Sequence, residues 1–340
     1  MLETSHNRPL HIFASLTALV TLGLIFVGGL VTSTGSGLSV PDWPNTYGEF
    51  MFSFPFSDMV GGIFYEHGHR LFASAVGVLT AVLAAWLWLS EKRYWVKVLG
   101  LLALGAVILQ GLLGGLTVLL LLPTPISVFH GTLAQSFFLM LIAIGYATSR
   151  EFIATDALAT SSAEILRLRR LAAITTGVIY GQLVLGAVMR HTGSGLAFLD
   201  FPLTGGSALP TLNATFVESI NYDRWVLELP PVSKGQMALH YLHRVGALLV
   251  AFTVSATTWR SWRLPMLPTS LKIMGLVLFG LLILQITLGA ATILSLKQHI
   301  ITSSHVVTGA TILGFCFLFT LRVYKFAGQN TLAQLTDHTE

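Results

Sequence analysis

The chain has 340 residues, of which 54% are apolar and only 10% are charged, and its mean hydropathy is +0.75. Soluble domains carry about 25% charged residues, so this composition excludes an ordinary water-soluble enzyme and a disordered protein. The net charge of +4 gives no indication of nucleic-acid binding, and the single cysteine, Cys316, excludes an intrachain disulfide and a thiolate metal cluster. The composition predicts a polytopic membrane protein.

Eight apolar runs are each long enough to cross about 30 Å of hydrocarbon as a helix. They cover residues 11–32, 70–90, 96–121, 126–148, 171–189, 241–259, 271–294 and 300–321. The first run is longer than the apolar region of a cleaved signal peptide, and the segment before it is too short and too poor in arginine for a mitochondrial transit peptide. We therefore expect a bacterial inner (plasma) membrane protein.

The distribution of lysine and arginine predicts that both termini are cytoplasmic. With this orientation, 13 of the 19 Lys and Arg residues lie on the cytoplasmic side, as the positive-inside rule requires. Two long connections, 33–66 and 191–239, then lie outside, and long loops of this kind often cover a site. Arg70, Arg190 and Arg244 are outer cations that directly adjoin histidines.

The chain contains a tandem duplication. Segments 28–44, 66–70 and 110–117 and His130 match, in the same order, segments 186–202, 240–244 and 285–292 and His305. Each half has four apolar runs and starts on the same side, so the halves are predicted to be parallel repeats about an axis along the membrane normal. The predicted fold is all-α, with one four-helix bundle in residues 1–150 and another in residues 151–340.

Four of the eleven histidines occupy matching positions in the two halves. His69 and His130 begin the second and fourth predicted helices, and His243 and His305 begin their counterparts. Two imidazoles facing each other across a bundle suit axial ligation of haem iron. Hydrogen bonding between helices would explain one such histidine, but four in register favour ligation. A closed zinc site would need more ligands in each half.

Other histidines are predicted to play smaller parts. Residues near the four ligand candidates are interpreted as neighbours or loop residues, and they are His67, His191, His240 and His299. No role is assigned to His6, His11 and His338 near the ends of the chain.

Charged residues adjoin the ligand candidates. Arg70 and Arg244 directly follow two of the histidines and could hold haem propionates at the water boundary. Glu66 lies three residues before His69, on the same helix face, and His240 replaces it in the second half. The carboxylate could act as a general base or stabilise a developing cation, or only complement the helix dipole by about 0.3–1 kcal/mol. Its loss from the second half favours a single reactive site.

Two loop motifs recur just after the first and fifth runs. TGSGL occupies 34–38 and 192–196, and an Asp-aromatic-Pro step occupies 42–44 and 200–202. Glycine permits tight turns and proline stops helices, so we expect loops that fold back over each bundle. Asp42 is interpreted as an Asx-turn residue rather than a ligand.

Together these motifs resemble those of the haem A synthase family. The resemblance rests on the duplicated eight-helix layout, E-x-x-H-R at 66–70, H-x-x-H-R at 240–244, the later His130 and His305, and the two loop motifs. It covers nearly all of the chain. It implies an oxidoreductase that converts the C8 methyl group of haem o to a formyl group, yielding haem a for terminal oxidases.

The resemblance also implies roles for individual residues. Haem o would bind at His69 and His130, a haem b would be held by His243 and His305, and Glu66 would be catalytic. The implied partners are haem O synthase, which supplies the farnesylated substrate, an electron acceptor such as a quinone or redox protein, and the lipid bilayer. The resemblance leaves open whether the chain forms a homo-oligomer. Some bacterial members have a cysteine pair in an outer loop, which this chain lacks.

Two other functional classes stay open from the sequence. A dihaem b-type cytochrome that only transfers electrons would need the paired histidines but not Glu66. A haem transporter or chaperone would bind haem without redox turnover.

Overall fold

The protein is built from α-helices. The computed structural model describes residues 6–154 and 162–336, so His338 lies outside the described residues. Within these ranges there is no strand beyond two isolated bridges. The helices are α1 (Arg8–Ser33), α2 (Gly62–Ser90), α3 (Tyr94–Leu119), α4 (Thr124–Ala147), α5 (Arg150–Ala154), α6 (Ala163–His191), α7 (Ala214–Val226), α8 (Lys234–Arg263), α9 (Thr269–Leu294) and α10 (His299–Thr336).

Among the described residues, eight helices are long and apolar enough to cross a membrane, namely all except α5 and α7. This confirms the all-α, eight-span prediction, and the protein is a multi-pass membrane protein. Large apolar side chains on the outer faces of the spans, such as Leu19, Val78 and Phe252, are exposed. In a bilayer these faces contact lipid.

Three spans begin seven or eight residues before the apolar runs from which they were predicted, whereas the other five begin within three residues of theirs. α2, α6 and α8 start at Gly62, Ala163 and Lys234. Their added turns contain polar and charged residues, which hydropathy does not count as part of a span. As a result, His69 and His243 lie about two turns or more inside their helices, at 3.6 residues per turn, rather than at the first residue.

The contacts between helices follow the duplication. α1 and α3 each pack against α2 and α4, while α6 and α9 each pack against α8 and α10. The two groups meet where α1 and α4 contact α10 and where α4 contacts α6. These contacts agree with two four-helix bundles. The arrangement of the helices as two separate bundles stays a prediction. α10 is the most enclosed span, since 56% of its apolar segment is buried against 17–28% in the other seven spans described.

A polar junction joins the two groups of helices. Nη2 of Arg190 in α6 donates to the carbonyl of Gly29 in α1 (2.6 Å) and to Oγ of Ser33 (3.1 Å). Oγ of Ser33 lies 3.0 Å from Oγ of Ser303 in α10. Because buried polar groups are stable only when paired, Arg190 stabilises the contact between α1, α6 and α10. This accounts for one of the outer cations noted in the sequence.

The two long connections lie on one face of the molecule, where α2 and α8 begin. We call this the long-loop face, and it comprises residues 34–61 and 192–233. The second connection contains α7, which the sequence analysis treated as loop. Asn213 caps α7 by accepting from the N–H of Phe216 (2.9 Å). Ile220 of α7 belongs to a buried apolar cluster with Phe198 and Met237, so α7 covers the beginning of α8.

Candidate active site

Each of the four predicted ligand histidines packs against a glycine on a neighbouring helix. A Cβ atom added to Gly28, Gly114, Gly186 or Gly289 would lie 3.1, 3.4, 3.1 or 3.0 Å from Cε1 of His69, His130, His243 or His305, respectively. These glycines match across the duplication in the same way as the histidines do. Most of these separations are shorter than ordinary van der Waals contact, so a larger residue would displace the imidazole. The glycines therefore set the position of each ring.

In the first half, the two histidines have unused bonding capacity. His69 and His130 are close enough to interact electrostatically. Among the described residues, Nδ1 of each ring is buried without a hydrogen-bond partner. Buried polar atoms are nearly always paired. Each of these neutral imidazoles packs against a glycine and has a ring nitrogen without a partner. Such a pair of nitrogen donors fits axial ligation of haem iron.

In the second half, both histidines have hydrogen-bond partners. His243 and His305 also lie within electrostatic range of each other. Nδ1 of His243 lies 3.1 Å from Nε2 of Gln182, and Nδ1 of His305 lies 3.2 Å from the carbonyl oxygen of Gln285. A contact from Nδ1 to a backbone carbonyl is the usual way in which a ligating histidine is oriented. The donor set of this half therefore also fits haem.

Gln182 was not among the residues predicted from the sequence. The sequence feature that could have identified it is the single amide side chain within an apolar run, one turn before Gly186. Gln110 on α3 also bonds between helices, since its Nε2 donates to the carbonyl of His130 on α4 (2.9 Å).

Glu66 is buried, with 3% of its surface exposed. Its Oε2 accepts from the backbone N–H of Val40 (2.8 Å), and its Oε1 accepts from Nη2 of Arg70 (2.7 Å). The carboxylate thus holds segment 34–61 against α2. Each oxygen has two lone pairs, so these bonds leave part of the acceptor capacity of the carboxylate unused.

In the second half, His240 occupies the place of Glu66. Its Nδ1 accepts from the N–H of Phe198 (3.2 Å), and its Nε2 lies 3.3 Å from Nε of Arg244. A neutral imidazole accepts at one ring nitrogen only, whereas a carboxylate accepts at both oxygens. His240 therefore preserves part of the loop contact and none of the negative charge.

The two arginines that follow the histidines bind loop carbonyls. In the first half, Arg70 donates through Nη1 to the carbonyls of Asp42 (2.8 Å) and Asn45 (3.0 Å), and through Nη2 to that of Val40 (2.8 Å). With Glu66 these acceptors take all four Nη protons of Arg70.

Arg244 makes the same kind of contact in the second half. It donates to the carbonyls of Asp200 (2.8 Å) and Leu203 (2.5 Å). These loop contacts were not predicted from the sequence, and the propionate role of both arginines stays a prediction.

Two aspartates close the loops. Neither forms the Asx turn that was predicted for Asp42, because each carboxylate bonds N–H groups five and six residues further along the chain rather than two. Asp42 accepts from the N–H groups of Tyr47 (2.9 Å) and Gly48 (2.8 Å). Asp200 accepts from those of Gly205 and Gly206 in the same way. Partial burial raises the pKa of Asp42, but the bonds from Gly48 and Tyr47 and the charge of Arg70 outweigh it, so that the pKa lies below the ordinary value.

Positive charge accumulates around the second loop. Lys297, in the turn between α9 and α10, has its Cε and Nζ beside Gly195. Arg224 of α7 donates to the carbonyls of Leu196 and Pro230. Burial lowers the pKa of Lys297, and the nearby Arg190 and Arg224 lower it further. This part of the long-loop face therefore favours anionic groups.

Comparison with known proteins places these features in a family context. The family model COX15-CtaA, described as "Cytochrome oxidase assembly protein", matches residues 11–317. Three curated relatives bear the name heme A synthase. The protein of Symbiobacterium thermophilum is 30% identical over 73% of this chain and 74% of its own, that of Halalkalibacterium halodurans is 29% identical over 74% and 76%, and that of Caulobacter sp. is 27% identical over 95% and 98%.

Proposed function

The chain belongs to the haem A synthase family, and we propose that it oxidises the C8 methyl group of haem o to a formyl group, yielding haem a for terminal oxidases. It would thus be an oxidoreductase acting on a CH group. The observation that carries the proposal is the pair of matching histidine sites, each backed by glycines, of which only the first has an adjacent carboxylate, Glu66. A function in haem a synthesis agrees with the names of the relatives.

We assign the substrate to the first half and a permanent cofactor to the second. Haem o would bind between His69 and His130, and haem b between His243 and His305. Haem b, when bound, accepts and passes on electrons one at a time. With water as the source of the formyl oxygen, conversion of methyl to formyl releases four protons and four electrons, so the chain needs an electron acceptor, which we propose to be a quinone or a redox protein.

Glu66 is proposed as the catalytic residue that accepts protons from the substrate. The guanidinium of Arg70 at 2.7 Å favours the ionised carboxylate, and the free lone pairs of its oxygens can accept a proton. Its place one turn before His69 puts it at the edge of the proposed substrate site. The bond from Val40 fixes the carboxylate and brings segment 34–61 over the site, which limits the entry of water.

The propionates of both haems would meet positive charge at the long-loop face. Loop carbonyls occupy the Nη protons of Arg70, so this residue would act on a propionate through its charge and its remaining Nε–H. In the second half Arg244 would act through its charge, since its Nε lies against Nε2 of His240, and Lys297 adds to the positive potential.

The substrate carries a farnesyl chain and is therefore lipid-soluble. We propose that it enters from the bilayer between helices, after delivery by haem O synthase. The excess of Lys and Arg on the other side of the membrane supports an outer position for the long-loop face and a cytoplasmic position for both termini.

Expression in a bacterial host that makes haem o but lacks its own haem A synthase tests this function. Haems are extracted from membranes with and without the chain and identified by mass spectrometry. We expect haem A to appear and haem O to fall only with the chain. A folded, haem-loaded protein that yields no haem A would contradict the proposal and favour the dihaem cytochrome or the haem carrier.

A further inference from the structure

Gln182 is one of two hydrogen-bond partners that distinguish the second histidine pair from the first among the described residues; the other is the Gln285 carbonyl at Nδ1 of His305. Its carboxamide, on α6, lies 3.1 Å from Nδ1 of His243 on α8 and donates to the His243 carbonyl at 2.8 Å. Nε2 of Gln182 makes both contacts, so this one nitrogen lies between the ring and the backbone of the helix that bears it. In the first half, Nδ1 of His69 is buried with no such partner among the described residues.

The two halves differ at two positions that match across the duplication and that contact each other in the second half. A Cβ atom added to Gly246 would overlap Oε1 of Gln182, so glycine at 246 provides the space for the carboxamide. The matching residues of the first half are Leu24 and Phe72, at the offsets of 158 and 174 that relate these helices. Phe72 packs towards α1, with Cζ 3.4 Å from a Cβ built on Gly23. The first half thus has an apolar pair where the second has an amide and a space for it.

We propose that Gln182, in the space left by Gly246, is the positioning residue that makes the second histidine pair a permanent haem site, while Leu24 and Phe72 leave the first pair able to take up and release haem. This inference rests on the proposed function, which requires one resident haem and one haem that turns over.

The physical basis is the orientation of the ligand ring. A histidine that binds a metal through one nitrogen donates its other N–H to a partner, and loss of such a partner costs about 10–100-fold in metal affinity. With iron on Nε2, Nδ1 of His243 carries the proton. Rotation of the Gln182 carboxamide by 180° presents Oε1 to that proton, and the bond from Nε2 to the His243 carbonyl is given up in that state. His69 has no equivalent partner, which favours release.

The first test compares rates of haem loss from the purified full-length protein to apomyoglobin. Gln182→Met keeps the length of the side chain and removes the amide, and we expect haem b to leave about 10–100-fold faster than from the wild type. Thr176→Val is the matched control on α6, since it removes the bond to Thr320 (2.9 Å) but touches no histidine. Equal rates for Gln182→Met and the wild type would overturn the inference.

The second readout is the midpoint potential of haem b. In Gln182→Glu the carboxylate accepts from Nδ1–H more strongly and makes the ligand more basic, so we expect retained haem with a lowered potential. Any haem kept by Gln182→Met should have a raised potential. Packing alone would not move the two potentials in opposite directions, so potentials that do not diverge would contradict a positioning role.

The reciprocal variant introduces a glutamine as a hydrogen-bond partner for His69 in the first half. Leu24→Gln combined with Phe72→Gly should slow the release of haem o from this half by a similar factor, and an unchanged rate would overturn the inference. The proposed function and the role of Gln182 fail in different experiments. The proposed function is refuted if the wild-type protein forms no haem A. Normal haem A formation with unchanged haem loss in Gln182→Met refutes only the role of Gln182.

Discussion

Glu66 and His240 accept equivalent backbone bonds from the two long loops. The N–H of Val40 donates to Glu66 at 2.8 Å, and the N–H of Phe198 donates to His240 at 3.2 Å. The residue at this position therefore has a structural task in both halves, and only the first half performs it with a carboxylate. This relationship separates the structural role of Glu66 from its proposed chemical role.

Glu66→His provides a sharp test of catalysis by Glu66. Because histidine already makes the loop contact in the second half, we expect the variant to fold and to keep haem b while forming no haem A. Haem extraction and the haem b spectrum of the purified protein measure both properties. Glu66→Ala should also lose haem A and should additionally loosen segment 34–61. Wild-type levels of haem A in either variant would show that Glu66 is not catalytic.

The two histidine pairs should behave differently on substitution. His243→Ala or His305→Ala removes an axial ligand of the resident haem, so we expect the purified protein to lose its stable low-spin haem spectrum. His69→Ala or His130→Ala should leave that spectrum in place and abolish haem A formation. Absorption spectroscopy and haem extraction distinguish these outcomes. A normal low-spin spectrum in the His243 and His305 variants would refute the ligand assignment.

Gly289→Ala should lower haem b content without unfolding the protein. The new Cβ would lie 3.0 Å from Cε1 of His305, so the ring must move away from its position. Gly280→Ala is the matched control, because nothing lies within 4 Å of a Cβ at this position on the same helix. We expect the ratio of haem to protein to fall several-fold in Gly289→Ala and to stay at the wild-type value in Gly280→Ala. Equal ratios would mean that Gly289 does not position the ring.

Asp42 should make the first loop sensitive to acid. Its pKa is lowered in the folded protein, so its contribution is complete above the ordinary value of 3.8 and is lost as the pH falls below that value towards the folded-state pKa. Asp42→Ala should weaken the loop at neutral pH by about 1 kcal/mol per hydrogen bond lost.

Limited proteolysis of segment 34–61 measures this effect. We expect faster cleavage of Asp42→Ala than of the wild type at neutral pH. Asp58→Ala in the same loop is the control, since among the described residues the carboxylate of Asp58 accepts from the adjacent Ser57 hydroxyl and from no backbone N–H of the loop. Equal cleavage of the two variants would contradict the role of Asp42.

The sequence by itself determined the eight spans and the four matching histidines. Span length, apolar composition and repeat register are properties of contiguous residues, so they can be read without knowledge of the fold. The same reasoning placed the starts of α2 and α8 too late, because their first two turns include polar residues such as Glu66, His67 and Gln236, which hydropathy does not count towards a span.

Only the tertiary structure decided what Arg70, Glu66 and Gln182 touch. Arg70 and Glu66 bind backbone groups about 25 to 30 residues away, in a loop that has no periodicity, and Gln182 meets a histidine 61 residues away on another helix. Contacts of this kind depend on how loops fold and on which helix faces meet, and no local pattern in the sequence records either.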